Sequence, residues 1–183
     1  MNLLQHGLDL LVLTQPRLLV LAALLFVAAL VDFHQWRIPN ALTFGGALGA
    51  FLLSVIEPGP ATQALLTAAA GLAAGLALML PLYLMRALGA GDVKLMGMVG
   101  AYLGLPHTLG AVLLVFITGG VMASLLVLYR RGWQVSPTQP SAGEVTGTSL
   151  GRMPYGTSIA LGTLVYVCAF EPAGLQWSRW LAA

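Results

Sequence analysis

The chain has 183 residues, of which 58% are hydrophobic and only 8% charged, and its formal net charge is +2. Its mean hydropathy of +0.89 excludes an ordinary soluble domain, in which about a quarter of residues carry charge. So small a net charge offers no footing for nucleic acid, and the single cysteine, Cys168, excludes an intramolecular disulfide or a cysteine-cluster metal site.

The predicted elements are helices. Apolar runs exceed the roughly ten alternating residues of a barrel strand, and the length accommodates about six spans of about 20 residues. Residues 1–16 read as an interfacial segment, with Leu3, Leu4, Leu8 and Leu11 at near-helical spacing. They lack the basic start and small-residue cleavage site of a signal peptide. The first span is expected from Leu18 to Gln35 and the second from Ala41 to Ile56, closed by Glu57-Pro58-Gly59-Pro60. The third runs from Thr62 to Met85, the fourth from Asp92 to Leu103, the fifth from Thr108 to Tyr129 and the sixth from Pro154 to Phe170. Residues 130–153, rich in Gly, Ser, Thr and Pro, read as a flexible cytoplasmic loop. The expected fold is therefore all-α: a single membrane-embedded domain, residues 1–183, forming a polytopic bundle of about six transmembrane helices. Gly45/Gly49, Gly71/Gly75 and Gly100/Gly104 have the spacing that lets helices approach closely.

Basic residues set the orientation. With six spans, Arg37, Arg86, Lys94, Arg130, Arg131 and Arg152 fall on one side, and Arg17 and Arg179 on the other. The richer side is expected to face the cytoplasm, which places both termini outside. Asp32 and Asp92 then reach the cytoplasmic face together, although sixty positions separate them.

Only six acidic residues occur in the chain. An Asp within a span costs roughly 2.5–3.5 kcal/mol at mid-helix on insertion scales, so these two are expected to be paired, hydrated or used. Two carboxylates sharing one proton are the apparatus of an aspartyl protease: one activates water while the other hydrogen-bonds the scissile carbonyl. Helix ends set the two apart. Asp32 lies near the C-terminal end of its span, whereas Asp92 opens its span among exposed N–H groups, with Lys94 two residues on adding positive potential, so the charge is expected on Asp92 and the proton on Asp32. Gly89-Ala90-Gly91 permits a tight turn before Asp92, or a close approach of substrate backbone. Arg37 can anchor at headgroups, Pro39 suits a helix first turn and Asn40 can cap. His34 stands near enough in sequence to tune Asp32. His6, His34 and His107 are scattered, so no metal is expected, and no cofactor.

Three motifs in order, Asp32 followed by Arg37-Ile38-Pro39-Asn40, GAGDVKL at 89–95 and MPYGTSIALG at 153–162, resemble the type IV prepilin peptidases, a family of GxGD membrane aspartyl proteases. The resemblance covers about residues 25–165, and the small size is most similar to the peptidases of tight-adherence (Flp) pilus systems. It implies an enzyme of the bacterial cytoplasmic membrane that removes the short basic leader from prepilins or pseudopilins at the cytoplasmic face. Asp32 and Asp92 are the implied catalytic pair. Arg37, Pro39, Asn40, Gly89, Gly91, Lys94, Pro154, Tyr155 and Gly156 are the implied supporting residues. Longer members carry a cysteine-bearing methyltransferase domain, so cleavage without methylation is expected here. The implied partners are the substrate helix and membrane lipid; the sequence assigns no oligomeric state. Two alternatives stay open: a GxGD protease acting on preflagellin or signal-peptide-type substrates, and a small ion-coupled transporter, whose acids would lie near the bilayer midplane.

Overall fold

The computed structural model describes residues 16–35, 38–56, 60–132 and 155–174. All its regular structure is helical: α1 Pro16–Gln35, α2 Asn40–Ile56, α3 Ala61–Leu84, α4 Ala90–Leu103, α5 Leu105–Gly132 and α6 Tyr155–Gly174. These are the six expected helices, with shifted ends. Residues 130–132 continue α5 instead of opening the loop, because backbone hydrogen bonding persists through the arginines, which are good helix formers. The rest of that loop, the segment 1–15, Arg37 and Pro154 lie outside the described residues.

Proline and glycine punctuate the chain. Pro16 occupies the first position of α1, where its missing N–H costs nothing. Pro39 O accepts Leu42 N at 3.1 Å and Thr43 N at 3.4 Å, so Pro39 takes the capping position that the sequence offered to Asn40. The backbone geometry puts Asn40 one step inside α2 and leaves its side chain to bond elsewhere. α3 ends in a Schellman motif: Arg86 N donates to Tyr83 O and Ala87 N to Leu82 O, both at 2.9 Å. The left-handed residue of this motif is usually glycine, but here it is Arg86, at φ 59°. One residue, Gly104 at φ 78°, joins α4 to α5. A side chain there would meet Thr67 Cγ2 at 2.7 Å.

α4 is the axis of the bundle. Every other helix touches it, and Val93 and Leu95 through Tyr102 are buried on all its faces. Its 14 residues span only about 21 Å. Against it α3 runs antiparallel so closely that backbones touch. A Cβ on Gly71 would strike the Gly100 carbonyl and come within 2.8 Å of Gly104 Cα, and one on Gly75 would strike the Met96 carbonyl. The stripe Ala68, Gly71, Gly75 and Met79 is buried there. α2 runs parallel to α4, and its buried stripe is Thr43, Gly46, Ala50 and Ser54. Gly46 packs on Met98, whereas Gly45 has nothing within 4 Å. The expected Gly45/Gly49 pair is therefore not the seam. Helical phase turns Gly45 outward and brings Gly46 to the interface, while Gly49 lies beside the Tyr102 hydroxyl. α5 and α6 pair antiparallel, with Gly162 against Val115 and Gly110 against Tyr166.

The outer surface is apolar. Phe26, Phe44, Leu48, Leu66, Leu113 and Leu128 are each more than 60% exposed. Small residues at the closest helix seams and large apolar ones facing outward are the arrangement of a helical bundle solvated by lipid. α3 and the stretch Leu105–Leu125 of α5 are long and apolar enough to cross a membrane. Two buried hydroxyls donate to backbone carbonyls four residues earlier: Ser54 Oγ to Ala50 O at 2.8 Å and Thr108 Oγ1 to Gly104 O at 2.6 Å.

Candidate active site

Four chain segments converge at one end of the bundle: the last turn of α1, the α1–α2 turn, the first turn of α4 and the first turn of α6. Alternating helix directions bring them together. Asp92 is the third residue of α4. Its N–H bonds Gly89 O at 3.1 Å, and its Oδ2 accepts from Gly89 N, also at 3.1 Å. The carboxylate thus satisfies a donor that the start of a helix leaves unpaired. Two glycines give this turn its fit. A Cβ on Gly89 would lie 3.2 Å from Asp92 Oδ2, and one on Gly91 would lie 3.3 Å from Ile38 Cβ. Ile38, a residue of the α1–α2 turn that the sequence alone did not single out, is therefore the wall behind the GAGD turn.

Asp32 sits three residues from the end of α1 and is only 6% exposed. Its partners come from α6: the backbone N–H groups of Gly156 and Thr157 donate to its carboxyl. Oδ2 is buried with no hydrogen-bond partner among the described residues. The expectation built on the C-terminal dipole of α1 omitted this neighbour. In three dimensions the carboxyl faces the N-terminal, electropositive end of α6. Each aspartate therefore meets a helix start, Asp92 its own and Asp32 that of α6. The two carboxyls lie within electrostatic reach of each other.

Lys94 does not stand beside Asp92. Two residues along a helix point to opposite faces, and Lys94 Nζ instead donates to Asn40 Oδ1 at 2.9 Å. The same ammonium lies 5.3 Å from the centre of the Phe44 ring. Lys94 and Asn40 thus tie the start of α4 to the start of α2. Pro39, next to them, is exposed. His34 turns away from the role offered to it: its Nδ1 is 3.0 Å from Leu30 O in the preceding turn. Tyr155 opens α6, packs against the hydrophobic core and faces Gly119 of α5.

The structure thus brings together Asp32, Asn40, Gly89, Gly91, Asp92, Lys94 and Gly156. Ile38, Phe44 and Thr157 are the neighbours that sequence reasoning missed. Ile38 lay within a recognised motif, but nothing local marked Thr157, whose contribution is a backbone N–H. No group of three or more His, Cys, Asp or Glu able to hold a metal occurs among the described residues.

The family model for type IV leader peptidases matches residues 19–124, more than half the chain. The chain belongs to the type IV leader peptidase family. The matched region contains Asp32, the α1–α2 turn and the whole GAGDVKL segment, while α6 lies beyond it. No curated protein and no solved structure matches the chain. As a member of the leader peptidase family it is a peptidase, and its all-helical bundle fits the membrane association of that family.

Proposed function

We propose that this leader peptidase is an aspartyl endopeptidase whose catalytic pair is Asp32 and Asp92. It removes the short basic leader of prepilins or pseudopilins, of the Flp type, at the cytoplasmic face of the inner membrane. One observation supports the reading: two acids sixty positions apart stand at the same end of the bundle, one at the close of α1 and one at the start of α4, near enough to feel each other's charge. Two carboxyls that share a site do not both ionise readily, so the pair is taken to hold one proton. The ionised member takes a proton from water as the oxygen attacks the scissile carbonyl. The protonated member hydrogen-bonds the carbonyl oxygen and stabilises the tetrahedral intermediate. Collapse returns a proton to the leaving amine and regenerates the pair.

Placement at the bundle end supports a protease over an ion-coupled carrier. Asp32 is three residues from the end of its helix and Asp92 is third in its own, whereas carrier acids belong near the midplane. Lys94 and Arg86 stand at the same end, in keeping with a cytoplasmic face and external termini.

Coexpression with a candidate prepilin, scored by leader removal on a gel, tests the reading. Either Asp32→Asn or Asp92→Asn is expected to abolish processing while the protein still inserts. Substantial processing by both variants would remove the pair from the mechanism. Uncleaved prepilin beside a cleaved preflagellin would reassign the substrate and leave the chemistry intact.

A further inference from the structure

A leader peptidase active site built only from α1 and α4 would leave Asp32 without a structural partner. Its own helix supplies none, since intrahelical bonding uses the backbone N–H groups around it. The donors come from the first turn of α6, at Gly156 and Thr157. The first N–H groups of a helix have no intrahelical acceptor, so Asp32 satisfies α6 as much as α6 holds Asp32. The approach is so close that a side chain at 156 would have to displace the Asp32 carboxyl. A Cβ there would lie 2.7 Å from Asp32 Oδ2, 2.9 Å from Cγ and 3.1 Å from Cβ. The obstructing atoms all belong to the one short side chain of Asp32. That side chain is 94% buried, and its Oδ2 makes no hydrogen bond among the described residues.

From this contact we infer that Gly156 is a positioning residue for the catalytic centre: its missing side chain lets the start of α6 close on Asp32 and fix the carboxyl's orientation toward Asp92. The inference rests on the reading of Asp32 as catalytic, but the contact itself can be measured without it. α6 thereby becomes a third wall of the site, contributing backbone instead of a side chain. The orientation matters because displacing a catalytic group by about 1 Å costs about 100-fold in rate. Gly156 acts through Asp32 and touches no reacting atom itself.

Two measurements separate this role from ordinary helix packing. In purified full-length protein, Gly156→Ala is expected to lower kcat for prepilin cleavage about 100-fold with KM nearly unchanged. Gly162→Ala serves as the comparison, since its Cβ would meet Val115 Cα at 2.7 Å, on the same helix but far from the carboxyl. The second measurement is a thermal-melt cycle with Asp32→Ala. Removing the Asp32 carboxyl should erase the stability penalty of Gly156→Ala and leave that of Gly162→Ala in place. Thr157→Pro, which deletes one donor in a first turn that tolerates proline, should also lower kcat without raising KM. A Gly156→Ala enzyme with the parent kcat, or a penalty that persists in the Asp32→Ala background, would overturn the proposal. If Asp32→Asn still cleaves while the cycle shows coupling, the catalytic reading fails and the contact stands.

Discussion

Replacing Gly71 by alanine adds one methyl group where two helices touch. In open helix the exchange would stabilise by about 1 kcal/mol through helix propensity. Here the new Cβ would strike the Gly100 carbonyl and approach Gly104 Cα to 2.8 Å. Both obstacles are backbone, so no rotamer change relieves them and α4 must move away from α3. Overpacking of this kind costs about 1–3 kcal/mol, and the rigid obstacle argues for the upper end. The net expected loss is about 2 kcal/mol, roughly 30-fold in the folding equilibrium. Gly45→Ala makes the same chemical change on α2, where nothing lies within 4 Å, and should stabilise by up to about 1 kcal/mol. Thermal melts in one detergent should therefore separate the two variants by about 6–12 °C, at about 2–4 °C per kcal/mol for a chain of this size. Equal shifts in the same direction would refute the backbone contact between α3 and α4.

Arg86→Gly should stabilise by about 1 kcal/mol, because Arg86 holds a left-handed conformation that glycine adopts without strain; an unchanged or lower melting temperature would contradict this. Lys94→Met and Asn40→Ala should each cost about 1 kcal/mol and the double variant little more, since the two share one hydrogen bond; additive losses in melts would argue against the tie. Thr108→Val should cost about 1 kcal/mol by removing a buried hydroxyl that donates to Gly104 O, read by the same melts.

The helices were legible because their signals are local. Pro16, Pro39 and Pro60 precede or open helices, and Gly89 and Gly104 flank α4, so hydropathy runs between them give the ends within a few residues. That Asp32 and Asp92 reach the same end of the bundle was legible too, because an odd number of helix reversals between them returns the chain to that end. What stayed hidden depends on rotation and on partners distant in sequence. The spacing of Gly45 and Gly49 matches that of Gly71 and Gly75, yet only the helical phase decides which glycine faces a neighbour. Lys94 was placed near Asp92 by its number, whereas 100° per residue carries it to Asn40. The donors to Asp32 are main-chain groups of a helix more than 120 positions away, and a backbone N–H leaves no mark in an amino-acid string.

The axial position of α4 turns its length into a ruler. One end is fixed by the single-residue link at Gly104 and the other by Asn40 and Ile38. Inserting one residue between Val93 and Leu103 would rotate Asp92 by about 100° and displace it by about 1.5 Å along the axis. The carboxyl would then point into a neighbouring helix. A change in the residue count of α4 would disconnect the two halves of the site.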